Sequence, residues 1–314
     1  QKPMTITVVD RDLTGLEIAA IDTQTVTKRE GLESVWSLDG TWLGVASDEK
    51  TGTIYASARG TGSQIDSSGK ILREVPGLLS APILRLARFG ESASPVFLVF
   101  GTWSPQVRAL DSTGKLLWSY PEAGAPSSGI DDVWPMDLSG DQSDEVIVGF
   151  NGAGGIHVLN SLGQLVWKST TIGNVWHVSA EDVRGDGKPM VITTSASGRV
   201  NLFSADGTER KDLDAGFYAN MVRAGKVSEK DPAATIVAMG TSAAKGIAIG
   251  ALSADGARKW SVELAQGAVY SAYLAPGKPW LAVGTQTGQV HVVDAVRGAV
   301  IANIDGQGVA PEVS

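Results

Sequence analysis

Short apolar runs separated by clusters of Gly, Asp and Ser recur along the chain. Residues 174–213 hold one complete unit: the runs VWHVSA, PMVITTS and RVNLFS, then TERKDL, joined by a DVRGDGK loop, a SASG turn and an ADG turn. Alternating or β-branched runs bounded by turn formers predict β-strands, and no helical period interrupts them. A four-stranded unit repeated along a chain predicts a β-propeller.

The turn between the third and fourth strands calibrates the repeat. An apolar residue precedes Asp22, Asp66, Asp111, Asn160, Ser204, Ser253 and Asp294, at spacings of about 41 to 49 residues. Gly69, Gly114, Gly163, Gly207, Gly256 and Gly298 follow six of these residues, whereas the first unit has Thr25. Seven turns predict an all-β fold: a seven-bladed propeller of four-stranded antiparallel blades in a single domain, residues 1–314. Residues 2–7, KPMTIT, match Lys188 to Thr193 in a second strand, while residues 308–314, GVAPEVS, resemble the start of a first strand. The closing blade is therefore expected to combine residues 1–38 with residues 308–314, leaving no free sheet edge.

Trp118, Trp167 and Trp260 each follow a turn glycine by four residues, which predicts packing between neighbouring blades. His157 and His291 stand three residues before their turns, where another unit has Asn201; a repeated polar position predicts structural hydrogen bonding.

Composition narrows the function. The 314 residues carry a net charge of −8, which disfavours nucleic acid as partner. Without cysteine there is no thiol catalysis, disulfide or thiolate metal site, a usage that suits a periplasmic, outer-membrane-associated or secreted protein. No apolar run is long enough to span a membrane, and a monomer is expected.

VRALDSTGKLLW, IHVLNSLGQLVW and LSADGARKW resemble the repeats of bacterial quinoprotein-like (PQQ-type) propellers. MDLSGDQSDEVIVG and EDVRGDGKPMVITT resemble the Asp-Gly loops of FG-GAP/VCBS repeats. The second resemblance implies a calcium-stabilised, adhesin-like surface module as one alternative, with Asp137, Ser139, Asp141 and Glu145 as oxygen ligands; the competing reading is a turn held by Asx hydrogen bonds. The first implies a quinone-dependent or unfamiliar enzyme at the channel mouth as another. No catalytic constellation accompanies it, so no catalytic residue and no cofactor is assigned.

The first strand of each blade is expected to line the channel. Near its start the units align Trp42, Ala81, Asp131, Trp176, Tyr218, Tyr270 and Ala310, flanked by Asp132, His177 and Asn220. Trp103 falls in a second-to-third-strand loop, on the same face. Aromatic rings with a few polar groups predict a non-enzymatic binding or assembly module that takes a protein or carbohydrate partner at this mouth.

Overall fold

The computed structural model describes residues 4–10, 18–21, 33–40, 42–48, 50–91 and 94–305. Within them the chain forms six four-stranded antiparallel sheets, each a meander of consecutive strands, arranged as the blades of a propeller. Their inner strands are Trp42–Asp48, Ile83–Ala87, Ile130–Met136, Val175–Glu181, Tyr218–Gly225 and Val269–Leu274, taken below as blades 1 to 6.

The expected seventh blade is a correction. Met4–Asp10, Ile18–Ile21 and Glu33–Gly40 form a three-stranded sheet with Met4–Asp10 in the middle, not a meander that continues the repeat. The physical reason lies at the turn. In the six complete blades the turn glycine donates its N–H to the carbonyl of the Asp, Asn or Ser residue at 2.8–3.0 Å. Those glycines have φ between 72° and 93°, a region where a side chain is strained, and the first unit has Thr25 instead. The strand expected at 308–314, and with it the two-ended closure, lies outside the described residues.

The preceding residue of each turn has its own task. Asp66 Oδ1 accepts the N–H groups of Ser68 and Lys70, and Asp111 and Asn160 repeat the arrangement with Thr113 and Lys115 and with Leu162 and Gln164. Only a short oxygen-bearing side chain can close this ring of bonds, hence the recurrent Asp, Asn or Ser.

Burial falls from the middle of each blade outward. The second strands Val96–Phe100, Met190–Ser195 and Trp280–Thr285 are buried at every residue, which is why they read as unbroken apolar runs. The fourth strand Ile71–Val75 is exposed at four of its five residues.

Between blades, one tryptophan device recurs. The indole N–H of Trp118, Trp167 and Trp260 donates to the carbonyl of Ser161, Ala205 and Ala295 in the next blade's turn, at 2.7–2.9 Å. Each ring covers that blade's turn glycine so closely that a Cβ there would lie 2.6–2.7 Å from ring carbons. Trp36 of the N-terminal sheet makes the same bond to Ser67 over Gly69. At the repeated polar position, His291 pairs with Asn303, Asn201 with Asp212, and His157 with the hydroxyl of Tyr120 in the preceding blade.

Candidate binding site at the channel mouth

The inner strands begin at one end of the channel with a repeated irregularity. Pairing with the second strand shifts by one residue in blades 1, 3, 4, 5 and 6, between Trp42/Gly44, Ile130/Asp132, Val175/His177, Ala219/Met221 and Val269/Ser271. The unpaired residues are Leu43, Asp131, Trp176, Asn220 and Tyr270. A bulge turns its extra side chain out of the ladder, which is how a strand presents a residue at the rim.

This register rearranges the sequence-predicted set. Asp131, Trp176 and Tyr270 share the bulge position, but Leu43 and Asn220 hold it in blades 1 and 5. Trp42 instead pairs with Ala58, is 5% exposed, and packs against Val45, Ile54 and Ile65. It is core. Ala81 is buried as well, and Ala310 lies outside the described residues.

The remaining aromatics form an arc across blades 2 to 6. Trp103, in the loop between the second and third strands of blade 2, is 69% exposed and has φ 61°. Its N–H donates to the Ile130 carbonyl at 2.7 Å, docking the loop on blade 3, where a Cβ at Gly129 would meet the Trp103 backbone at 2.9 Å. Trp176 packs against Tyr218 with ring centroids 5.6 Å apart. Tyr218 lies over Gly198, donates its hydroxyl to the Ala196 carbonyl at 2.9 Å and stays 43% exposed. Tyr270 is 53% exposed.

Among these rings stands Asp131. Its Oδ1 is buried and meets no hydrogen-bond partner among the described residues. Burial pushes its carboxyl up to about 6; the Asn151 side chain pulls it back, the Asp132 charge adds to the rise, and Trp103 again opposes it.

Asp132 and His177 each follow a bulge residue and enter a separate network, whereas Asn220 holds the bulge position of blade 5. Asp132 is buried, and its Oδ2 accepts from His177 Nδ1 at 3.1 Å and from the Val178 N–H at 3.2 Å. Arg85 of blade 2 and Arg223 of blade 5 reach it at 3.5 Å. Burial alone would raise the Asp132 carboxyl, but the His177 hydrogen bond and the charges of Arg223 and Arg85 hold it well below the usual carboxylate range. One carboxylate thus ties four inner strands together. Asn220 contributes its carbonyl to Thr194 Oγ1 at 3.0 Å.

At the opposite end of the inner strands, the Asp-Gly loop of blade 3 closes on itself. Gly140 and Gln142 donate to the two Asp137 oxygens, Ser143 donates to Asp141, and Leu138 and Ser139 donate to Glu145 Oε2. The carboxylate oxygens thus face backbone N–H groups, the geometry of an Asx-stabilised turn. Among the described residues no group of three acidic or histidine side chains is placed to hold a metal ion.

Sequence reasoning missed Arg85, Arg223, Trp134 and Tyr273, which occupy one register position on four inner strands, paired with Leu98, Val237, Ile147 and Ala282. The available signal was an arginine inside an otherwise apolar strand, in ILRLA and MVRAG.

Residues 97–240 match the family model described as the lambda-carrageenase beta-propeller domain. That span runs from the second strand of blade 2 to the second strand of blade 5. The match is to neither quinoprotein-like nor FG-GAP/VCBS repeats, so those two resemblances are set aside. No curated protein matches the chain. Among the described residues, no helix is long and apolar enough to cross a membrane.

Proposed function

We propose that the protein is a binding module that holds a polysaccharide across the channel mouth. One observation carries the reading: Trp103, Trp176, Tyr218 and Tyr270 form an arc of accessible or half-buried rings on blades 2, 4, 5 and 6, with Asp131 of blade 3 between them. Flat rings stack on the apolar faces of sugar rings, while polar groups set among them fix the orientation of the sugar. Similarity to the propeller domain of a lambda-carrageenase favours carbohydrate over protein and makes lambda-carrageenan the first polymer to test. The cysteine-free composition suits a place in the cell envelope or outside the cell.

Affinity electrophoresis in gels containing lambda-carrageenan tests this directly. Retardation of the wild-type protein, and its loss in Trp103→Ala, is the expected result. Equal mobility in gels with and without the polymer contradicts it. A second reading, hydrolysis at the same mouth, draws on Asp131, whose carboxyl near 6 is in the range of a proton donor. New reducing ends released from the bound polymer, and lost in Asp131→Asn, would favour that reading.

A further inference from the structure

A cavity of about 340 Å³ lies on the channel axis below the mouth and is lined by all six inner strands. Its wall is largely apolar, with Val45, Leu84, Met136, Ala180, Ala272 and Leu274 among its residues. Into this wall come two guanidiniums. The Cζ of Arg85 lies 5.9 Å from the Trp134 ring centroid and that of Arg223 lies 5.1 Å from it. The two differ in how well they are satisfied. Arg223 donates from Nε to the Ala272 carbonyl at 3.0 Å and from Nη1 to the Val222 carbonyl at 2.9 Å. Arg85 donates from Nη1 to the Leu84 carbonyl at 3.2 Å, but its Nε is buried without a hydrogen-bond partner. Asp132 supplies a single negative charge to both, at 3.5 Å. Glu181 also lines the cavity; burial pushes its carboxyl up, and the Asp182 N–H and the charge of Lys226 pull it back.

Two guanidiniums, one of them with an unpartnered N–H, and an indole in a largely apolar chamber form a recognisable combination. A guanidinium donor without an acceptor in an apolar wall is costly, and an incoming carboxylate oxygen offsets that cost. We propose that this cavity binds a small organic monoanion: a carboxylate on a flat apolar body, its acid group on Arg85 and its body beside Trp134. The site shares no residue with the saccharide face and does not depend on it.

Isothermal titration with benzoate tests the proposal, with neutral benzamide as the isosteric control. Benzoate should bind about tenfold or more tightly than benzamide, and Arg85→Gln should weaken benzoate by about the same factor. Should Arg85→Gln fail to fold, 4-bromobenzoate gives an independent readout in wild-type crystals: its bromine should locate in the channel beside Trp134. Indifference to benzoate, equal affinity for benzamide, unchanged binding in a folded Arg85→Gln, or bromine found only outside the channel would each overturn it. Retention in lambda-carrageenan gels should stay unchanged in Arg85→Gln, so the two sites can fail separately.

Discussion

Asp131 and Asp132 are neighbours on one strand, yet their carboxyls are driven in opposite directions, Asp131 up to about 6 and Asp132 below the ordinary range. The bulge separates them. Asp131 is the unpaired residue at the rim, whereas Asp132 resumes the ladder opposite Gly149 and turns into the ring of inner strands. Folding thus favours the protonated form of one and the ionised form of the other, with opposite consequences for stability.

For Asp131 the raised value means a contribution that is complete below about pH 4 and fades as pH rises through 6. Asp131→Asn, which mimics the protonated acid, should melt higher than wild type at pH 7.5 and level with it near pH 4. The gain should be about 1 kcal/mol, since solvent screens a half-exposed group. Thermal melts at the two pH values check this; an equal offset at both would rule out the assigned titration.

Asp132 has the reverse sign. Its contribution is present above the unfolded carboxylate value near 4 and is lost as pH falls further, toward its depressed value. Asp132→Asn leaves Arg85 and Arg223 facing each other across the channel without a counter-charge. The expected cost at pH 7 is about 3–5 kcal/mol, the range for breaking a buried pair from one side. Urea denaturation measures it, and a loss below about 1 kcal/mol would mean the network is not a staple.

The tryptophan device predicts a stability effect at a residue far from any site. Gly207→Ala would place a Cβ 2.7 Å from the Trp167 ring at φ 72°. Trp167→Ala should cost about 3 kcal/mol, the lower end for a large aromatic because this ring is half-buried. Gly207→Ala should be destabilising too, while Trp176→Ala, at the mouth, should cost less than either. A Trp176 variant that melts as low as the Trp167 variant would move that ring into the structural set.

The blades were legible in the sequence because each turn needs two specific things, an oxygen-bearing side chain and a left-handed glycine. Six turns have both, and six four-stranded blades follow; the unit with Thr25 is where extrapolating the count failed. The mouth was legible only in part. A bulge leaves no mark in composition, and the first-to-second-strand loops used to align the units differ in length between blades, so the alignment placed Trp42 and Tyr218 where Leu43 and Asn220 stand. The channel arginines were hidden for a different reason: their partner, Asp132, is distant in sequence and meets them only when blades 2, 3 and 5 surround one axis.

The Asp-Gly loop of blade 3 is expected to hold its shape through its own hydrogen bonds. Treatment with a calcium chelator should leave the melting temperature unchanged, because Asp137 and Glu145 are engaged by backbone N–H groups. A drop of several degrees, reversed by calcium in wild type but not in Asp137→Ala, would assign the loop an ion.

The last prediction separates the rings of the mouth by what holds them. Tyr218 is anchored by its bond to Ala196 and its seat on Gly198, and Trp176 leans on Tyr218. Trp103 reaches Asp131 with its side chain but is 69% exposed on a loop docked through its backbone, so its ring contributes little to folding. Trp103→Ala should therefore leave the melting temperature nearly unchanged while weakening lambda-carrageenan binding by about thirtyfold, the 2 kcal/mol typical of an anchor residue. Trp176→Ala should weaken binding too, but with some loss of stability, since Tyr218 loses its neighbour. Tyr218→Phe keeps the ring and removes only the bond to Ala196, so it should bind nearly as well as wild type. If Trp103→Ala binds the polymer like wild type in quantitative affinity electrophoresis, the arc is not the saccharide face.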